Sequence, residues 1–227
     1  MCFSANASFG AGIVLSAIGV ITIKKAQSSS QLFFASIPLI FGVQQITEGF
    51  IWLSLVNPTY SFLKYGAIYI FLFFAQVVWP IWVPYSILKF ESTKKQGMAA
   101  KLLVIIGAIV SLYLAYCLLT FPVDAKTTGS HISYIQHYPS AISKYCGFLY
   151  IVSTILPSFI SVNRRMWLLG TSIFISYLIT TIFYTDYVVS VWCFFASIIS
   201  IVILTILQDQ KHSPKYKKID YPAVVKE

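Results

Sequence analysis

Charged side chains are scarce in this sequence. Lys, Arg, Asp and Glu make up only 10% of the 227 residues, whereas 58% of the residues are hydrophobic. Soluble domains usually carry about 25% charged residues. A soluble globular domain is therefore not expected, and the composition indicates a membrane protein.

Histidine is also rare, and its positions exclude several kinds of site. The three histidines, His131, His137 and His212, all lie in polar segments. Haem ligation inside a membrane span is excluded, because no histidine is available there. The three-histidine zinc site of hydrolases resembling alkaline ceramidases cannot be assembled, because His212 falls on the opposite side from the other two. Residues 187–208 contain no lysine, which excludes the Schiff base of a seven-helix retinal protein.

Long apolar stretches dominate what is present. Seven of them can be distinguished, at residues 5–23, 31–56, 61–88, 99–121, 141–161, 165–184 and 187–208. A helix needs about 20 apolar residues to cross the hydrocarbon core of a bilayer. Backbone polar groups cannot stay unpaired in lipid, so these stretches predict helices rather than strands. We predict an all-α fold: a polytopic bundle of seven transmembrane helices over residues 1–208, followed by a basic, flexible cytoplasmic tail at residues 209–227.

The basic residues cluster in alternate polar segments. Thirteen of the 16 Lys and Arg residues lie near residues 24–25, 89–101, 164–165 and 211–226. The positive-inside rule assigns these segments to the cytoplasm, so the N-terminus is predicted outside and the C-terminus inside a cell membrane, taken to be a bacterial inner membrane. The net charge of +9 is largely explained by this topology, together with contact between the basic segments and anionic lipid of the bilayer. A nucleic-acid partner is therefore not expected, despite the basic tail.

One carboxylate lies well inside an apolar stretch. Gln44 and Gln45 precede Glu48 by four and three residues, and Trp52 follows it by four, so all can share one helical face. A carboxylate that faces lipid costs at least a few kcal/mol. We expect this face to point into the bundle, in its outer half. Burial disfavours the ionised form of a carboxyl group, so proton coupling enters the hypothesis.

Other polar residues are predicted to meet Glu48 in an outward-facing cavity. Gln76 lies near the middle of the third stretch, next to Trp79 and Pro80, and Asp186 lies at the outer mouth of the seventh, followed by Trp192. The predicted ligand-binding set is Gln44, Gln45, Glu48, Trp52, Gln76, Asp186 and Trp192. The leading hypothesis is a protein that binds or transports a small ligand, a cation or a proton. Stripes of small residues such as Ser4, Ser8, Gly12 and Ser16 normally let membrane helices pack closely. The alternative interpretation is that part of the stripe lines the polar cavity.

Two further hypotheses remain open. The first is a membrane-embedded, metal-dependent enzyme acting at the outer leaflet, with Cys2, Glu48, His137 and Asp186 as ligands of a transition metal. His137 lies in the outer connection at residues 122–140, which could fold over the cavity, and Cys2 would carry a free amine if Met1 were removed. The second is a structural subunit of a larger assembly, and an oligomer is also possible.

Two cysteines of neighbouring helices admit two states. Cys117 and Cys146 both fall in outer halves of predicted helices, where an oxidising compartment permits a disulfide. Buried free cysteines that behave as small hydrophobes fit equally well. Both states therefore stay open at this point.

Three segments carry a family resemblance. "MCFSANASF", "IPLIFGVQQITEGFIWL" and "SVWCFFAS" resemble a family of bacterial multi-pass membrane proteins that open Met-Cys-Phe-Ser-Ala and have no assigned function. The resemblance implies a bacterial seven-helix membrane protein. It supplies no reaction and no ligand, so the candidate residues rest on the physical argument alone.

Overall fold

The protein is built almost entirely from helices. A computed structural model describes residues 4–91 and 97–212. The first part contains α1 (Ala5–Lys25), α2 (Ser29–Ala35), α3 (Ile37–Val56), a 3-10 turn (Pro58–Leu63), α4 (Lys64–Leu72), a π-helical turn (Phe73–Val78) and α5 (Trp79–Glu91). The second part contains α6 (Met98–Thr120), β1 (Val123–Thr128), β2 (His131–Gln136), α7 (Ser140–Ile160), α8 (Met166–Phe183), a 3-10 turn (Thr185–Tyr187), α9 (Val188–Phe194) and α10 (Ala196–His212).

Several of these helices are long and apolar enough to cross a membrane. Six such segments occur in the described chain: Ala5–Lys25, Ser29–Val56, Pro58–Glu91, Met98–Thr120, Met166–Phe183 and Val188–Asp209. The apolar part of α7, Lys144–Ile160, is shorter. The predicted helical architecture is confirmed, because every predicted apolar stretch coincides with one of these segments to within a few residues.

Small residues bring α1 and α3 into close contact. A Cβ atom added at Gly12 would lie 2.6 Å from Ile46 Cγ1, and one added at Gly19 would lie 2.5 Å from the Leu39 amide nitrogen. Ser8, which precedes Gly12 by one turn, is fully buried. The stripe of small residues on α1 therefore serves helix packing, as the more ordinary of its two interpretations predicted.

Two apolar clusters mark opposite ends of the bundle. One contains Ile51, Ile68 and Leu118 together with buried residues of β1 and β2, and we call this the hairpin end. The other contains Phe34 and Met166 and lies where α2, α5, α8 and α10 meet, and we call this the opposite end. Positions along each helix can therefore be described relative to these two ends.

The connection between α6 and α7 forms a β-hairpin, which the all-α prediction did not include. Strands β1 and β2 pair antiparallel, with Thr128 opposite His131. Gly129 occupies the tight turn with a φ of 59°, a backbone conformation that favours glycine. Val123, Ala125 and Ile132 are buried against the bundle. The helical fold therefore includes one hairpin that the sequence analysis did not predict, because six-residue strands are too short to show clear alternation beside helices of about 20 residues.

An ion pair also fastens the hairpin to the bundle. Lys64 Nζ, at the start of α4, lies 2.7 Å from Asp124 Oδ1 in β1. Partial burial works to raise the pKa of the Asp124 carboxyl, but the hydrogen bonds from Lys64 and the Ala125 amide, together with the lysine charge, outweigh it. The pKa of Asp124 is consequently held below its ordinary value.

Candidate functional site

A cavity of about 320 Å³ lies among the helices from α3 onwards. Its wall is contributed by α3, the π-helical turn, α5, α6, β2 and the residues that follow it, and α7 to α10. All of the lining residues that the structure describes are uncharged, and most of them are aliphatic or aromatic. Helix α1 contributes no lining residue within its described length. The cavity is therefore an apolar space with a few polar groups.

The polar groups at the hairpin end of the cavity form a short hydrogen-bonded chain. Gln76 Nε2 donates to Gln136 Oε1 at 3.0 Å, and the Tyr138 hydroxyl donates to Gln76 Oε1 at 2.9 Å. Gln76 is only 8% exposed. Burial of the phenol raises the pKa of Tyr138, which keeps the hydroxyl protonated. These contacts attach the end of β2, and the segment between β2 and α7, to the π-helical turn.

Aromatic rings form the middle of the cavity wall. Phe41 and Trp79 stack with ring centroids 4.1 Å apart, and Trp192 packs against Tyr150 and Tyr177 with centroids 5.9 and 5.6 Å away. Aromatic pairs of this kind stabilise by about 0.5–1.5 kcal/mol beyond burial alone. Rings on five helical segments therefore give the cavity a firm wall.

The indole N–H groups of the wall are used inside the protein. Trp79 Nε1 donates to Gln44 Oε1 at 2.8 Å, and Trp192 Nε1 donates to Ser176 Oγ at 3.1 Å. Buried indole groups usually find such partners. Each tryptophan therefore has its N–H occupied, and the first of these bonds also holds α5 to α3.

The cavity becomes aliphatic towards the opposite end. Ile37, Val83, Leu169, Ile199 and Ile203 line it there. Ile37, Leu169 and Ile203 are at most 2% exposed and belong to the apolar cluster of that end. The polarity of the wall therefore falls from the hairpin end to the opposite end.

The π-helical turn shapes the wall and has its carbonyl groups bonded from neighbouring helices. The Tyr150 hydroxyl donates to the Ala75 carbonyl and the Ser111 hydroxyl donates to the Val77 carbonyl, both at 2.7 Å. Pro80, just after this turn, has no amide hydrogen to offer the preceding turn of helix. Turns of this type occur frequently at functional sites. The π-helical turn presents Gln76 to the cavity.

Glu48 lies in a separate polar cluster that is completely buried. The Ser190 hydroxyl of α9 donates to Glu48 Oε1 at 2.5 Å, and Gln45 Nε2 donates to Glu48 Oε2 at 3.0 Å. Glu48 and Ser190 are both 0% exposed, and Gln45 is 1% exposed. The carboxyl group therefore joins α3 to α9 through hydrogen bonds.

Six of the seven predicted ligand-binding residues divide between the cavity and the Glu48 cluster. Gln44, Gln76 and Trp192 line the cavity. Gln45, Glu48 and Trp52 are buried but are not among its lining residues. The backbone of Asp186 lies in the 3-10 turn Thr185–Tyr187, and its side chain lies outside the described part of the structure. Gln44, which precedes Glu48 by one helical turn, is the link between the cavity and the Glu48 cluster.

Two polar atoms next to Glu48 have no hydrogen-bond partner among residues 4–91 and 97–212. They are Gln45 Oε1, one turn before Glu48, and Trp52 Nε1, one turn after it. Buried polar groups are almost always hydrogen-bonded, so each exception calls for an explanation. Both atoms lie on the face of α3 that carries the carboxyl group.

The proposed metal ligands are only partly described. Cys2 lies outside the described residues, the Asp186 side chain is not described, and His137 is exposed. Within the described residues there is no group of three or more His, Cys, Asp or Glu side chains that could hold a metal ion. The transition-metal site and the enzyme hypothesis that depends on it stay predictions.

Cys117 and Cys146 are free thiols, and both are buried. Of the two states that the sequence left open, the structure therefore has the unbridged one. Cys146 also lines the cavity, where it contributes a small apolar surface.

Several lining residues are absent from the predicted set. Gly147, Tyr150 and Thr154 follow each other at spacings of three and four residues, which places them on one face of α7. That spacing is visible in the sequence, but uncharged residues do not stand out from the surrounding apolar stretch. Gln136 and Tyr138 were missed because, although the outer connection was expected to be able to fold over the cavity, only His137 was considered there as a site residue.

Long apolar helices around an apolar cavity define a class of helical protein suited to a membrane. Within that class the chain belongs to the family described as "Family of unknown function (DUF6629)", whose model matches residues 1–218. The predicted membership of a family without an assigned function is thereby confirmed. No curated protein and no solved structure matches the chain.

Proposed function

We propose that the protein is a multi-pass membrane protein that binds a small molecule in the cavity between its helices. The observation that carries this proposal is the cavity of about 320 Å³ with its aromatic wall and few polar groups. Ligand sites typically measure about 300–1,000 Å³ and combine a mainly apolar wall with a few placed polar groups. The function proposed is ligand binding, and Gln44, Gln76 and Trp192 take part in it.

The proposal includes seven membrane crossings, with the N-terminus and the hairpin outside the cell membrane. It is supported by the alternation of basic segments in the sequence and by the apolar outer surface of the helices. On α6, for example, Leu112 and Leu119 are 72% and 83% exposed, which suits contact with lipid. At about 1.5 Å per residue, the 21 residues of α7 give a length of about 30 Å, enough to cross the hydrocarbon core.

Packed apolar side chains beyond one end of the cavity favour ligand binding over transport. Beyond Ile203 the interior at the opposite end is filled by buried apolar residues, including Phe34, Met166 and Leu207. Transport would require this cluster to part so that the cavity opens on the second side. A cavity that is polar at the hairpin end and closed by packed side chains at the other suits uptake from the outer side.

Gly147 provides the experiment. Gly147 is exposed and lines the cavity, and a Cβ atom added there would meet no atom within 4 Å, so Gly147→Leu adds a side chain at the edge of the binding space without a clash. Gly10→Leu is the matched control, because Gly10 of α1 is equally open and does not line the cavity. Native mass spectrometry of the full chain in nanodiscs should show a bound small molecule in the wild type and in Gly10→Leu. The molecule should be lost in Gly147→Leu.

The opposite results are equally clear. A wild-type protein that carries no small molecule and binds neither ω-bromoundecanoic acid, its methyl ester nor bromoundecane would refute ligand binding in the cavity. An adduct that survives Gly147→Leu unchanged would place the ligand elsewhere.

Glu48 supports a second candidate, a site for a proton or a cation. The observation that favours it is Gln45 Oε1, a buried acceptor without a donor among the described residues, on the same helical face as the carboxyl group. Carboxyl and amide oxygens together are ligands that suit a proton or a hard cation. Infrared difference spectra of wild type and Glu48→Gln across a pH titration test this candidate. A carboxyl band that belongs to Glu48 and shifts with pH or with added Na⁺ or Ca²⁺ is expected, and an invariant band would refute the site.

A further inference from the structure

We infer that the ligand of the cavity is an uncharged, single-chain amphiphile whose head carries a hydrogen-bond-accepting oxygen, such as the carbonyl of a fatty-acyl ester. This inference rests on the proposed function and names the chemical class of its ligand. It follows from the charge, the hydrogen-bond donors, the polarity and the size of the cavity, taken in turn.

The charge of the wall selects a neutral molecule. All the lining residues that the structure describes are uncharged. The described ion pairs, Lys64 with Asp124 and Arg165 with Asp209, involve no lining residue. A buried ionised carboxylate or ammonium is strongly unfavourable without a partner of opposite charge. An uncharged head group is therefore favoured over the free acid or the amine.

Most of the hydrogen-bond donors on the cavity wall are already bonded within the protein. The hydroxyl groups of Tyr138, Tyr150 and Thr154 donate to other protein atoms. The indole groups of Trp79 and Trp192 do the same. These donors are therefore occupied before any ligand enters.

Two donors on the wall are still available. Gln136 uses its Oε1 to accept from Gln76, and its Nε2 donates to no residue in the described ranges. The Tyr177 hydroxyl likewise has no hydrogen-bond partner in the described part of the chain, although its ring packs against Trp192. Both groups offer a hydrogen to the cavity, so a carbonyl or ether oxygen is the complementary head.

The polarity gradient orients the ligand. Gln76, Gln136 and Tyr138 lie at the hairpin end, whereas Ile199 and Ile203 line the opposite end. A head at Gln136 therefore places an alkyl chain along the aromatic wall and into the aliphatic part. Burial of each methylene group in such a space is favourable by about 0.8 kcal/mol.

The volume limits the ligand to one chain. A cavity of about 320 Å³ lies at the lower end of the about 300–1,000 Å³ that is typical of ligand sites. This space suits a head group and one alkyl chain rather than the two long acyl chains of a phospholipid. A monoacyl ester or a comparable neutral molecule fits.

Tryptophan fluorescence tests the inference, because Trp79 and Trp192 line the cavity and bromine on a bound chain quenches them on contact. The probes are methyl ω-bromoundecanoate, the free ω-bromoundecanoic acid at about pH 8, where it is ionised, and bromoundecane. They share one chain and differ in head group only. Quenching is measured on the full chain in nanodiscs, for the wild type, Gly147→Leu and the Gly10→Leu control. The difference between the two leucine variants isolates quenching inside the cavity from quenching at the lipid surface.

The methyl ester should show saturable quenching that Gly147→Leu abolishes and Gly10→Leu retains. Its Kd should be at least about tenfold lower than that of the ionised acid and of bromoundecane. Gln136→Leu and Tyr177→Phe should each weaken the ester by about two- to tenfold, the loss expected for one hydrogen bond. If a leucine variant fails to fold by circular dichroism, Ile173→Phe replaces Gly147→Leu as the occluding change, since Ile173 also lines the cavity.

The failures of the two proposals can be told apart. Tighter binding of the acid, still abolished by Gly147→Leu, would overturn the neutral ligand and leave ligand binding in the cavity intact. Equal binding of ester and bromoundecane would overturn the role of the acceptor oxygen. Absence of saturable quenching with all three probes would overturn the binding function itself, together with this inference.

Discussion

Replacing Ser190 with alanine removes the hydrogen bond that its hydroxyl donates to Glu48 Oε1 over 2.5 Å. Both side chains are 0% exposed, so bulk water reaches neither. A hydrogen bond to a charged group contributes about 1.5–3 kcal/mol in soluble proteins, whereas hydrogen bonds between membrane helices average about 0.6 kcal/mol and reach about 1.7. Gln45 Nε2 still donates to the other carboxyl oxygen at 3.0 Å. We therefore expect Ser190→Ala to lower the free energy of unfolding by about 1–2 kcal/mol.

A double-mutant cycle assigns this loss to the pair. The free energy of unfolding is measured for the wild type, Ser190→Ala, Glu48→Met and the double variant, by titration with a denaturing detergent in bicelles. Methionine at position 48 has a similar length and no oxygen to accept the bond from Ser190. Ser86→Ala is the matched control, because the fully buried hydroxyl of Ser86 donates at 2.9 Å to the Val83 carbonyl of its own helix. Loss of this hydrogen bond should lower the free energy of unfolding by less than loss of the Ser190 bond, because it lies within one helix and does not join two.

A coupling energy within about 0.3 kcal/mol of zero, the usual scatter for independent sites, would contradict this expectation. Glu48 and Ser190 would then act independently. A loss in Ser190→Ala no larger than that in Ser86→Ala would lead to the same conclusion, because it would show no extra contribution from the contact between α3 and α9.

Two further predictions concern the close contact between α5 and α6 and the ion pair that holds the hairpin. Gly107→Ala should destabilise the protein by about 1–3 kcal/mol, because the added Cβ would collide with the Pro80 carbonyl oxygen. Gly66→Ala, where nothing lies within 4 Å, should cause no such loss in the same detergent titration, because alanine at an open helical position is at least as favourable as glycine. The lowered pKa of Asp124 beside Lys64 should stabilise the hairpin above the ordinary carboxyl pKa of about 4. That contribution should disappear as the pH falls through the lower folded-state pKa, and Asp124→Asn should remove this pH dependence of hairpin hydrogen exchange.

The helices could be predicted from the sequence because their signal is local. A run of about 20 apolar residues has to form a helix if it is to satisfy its own backbone groups in lipid. The predicted stretch at 99–121 and helix α6, Met98–Thr120, accordingly differ by one residue at each end. The division of the third stretch into a 3-10 turn, α4, a π-helical turn and α5 could not be foreseen, because hydroxyl groups from α6 and α7 hold the π-helical turn in place.

The polar residues were easier to find than the cavity. Glu48 is conspicuous because a carboxylate is rare in an apolar stretch, and its burial agrees with the expected inward direction of its helical face. Tyr150 and Tyr177 are not conspicuous, because the chain contains 15 tyrosines and spacing alone does not say which of them meet. Which faces enclose the cavity depends on contacts between distant segments, such as Gln76 with Gln136.

The hydrogen bonds of Gln76 also connect the hairpin mechanically to the cavity wall. Residues 126–130 at its tip are exposed, while Gln136 at the other end of β2 holds Gln76. An antibody fragment bound to the tip would contact one end of β2. The other end of β2 is hydrogen-bonded to Gln76 in the cavity wall. Such a reagent would offer control of the cavity from outside without having to enter it.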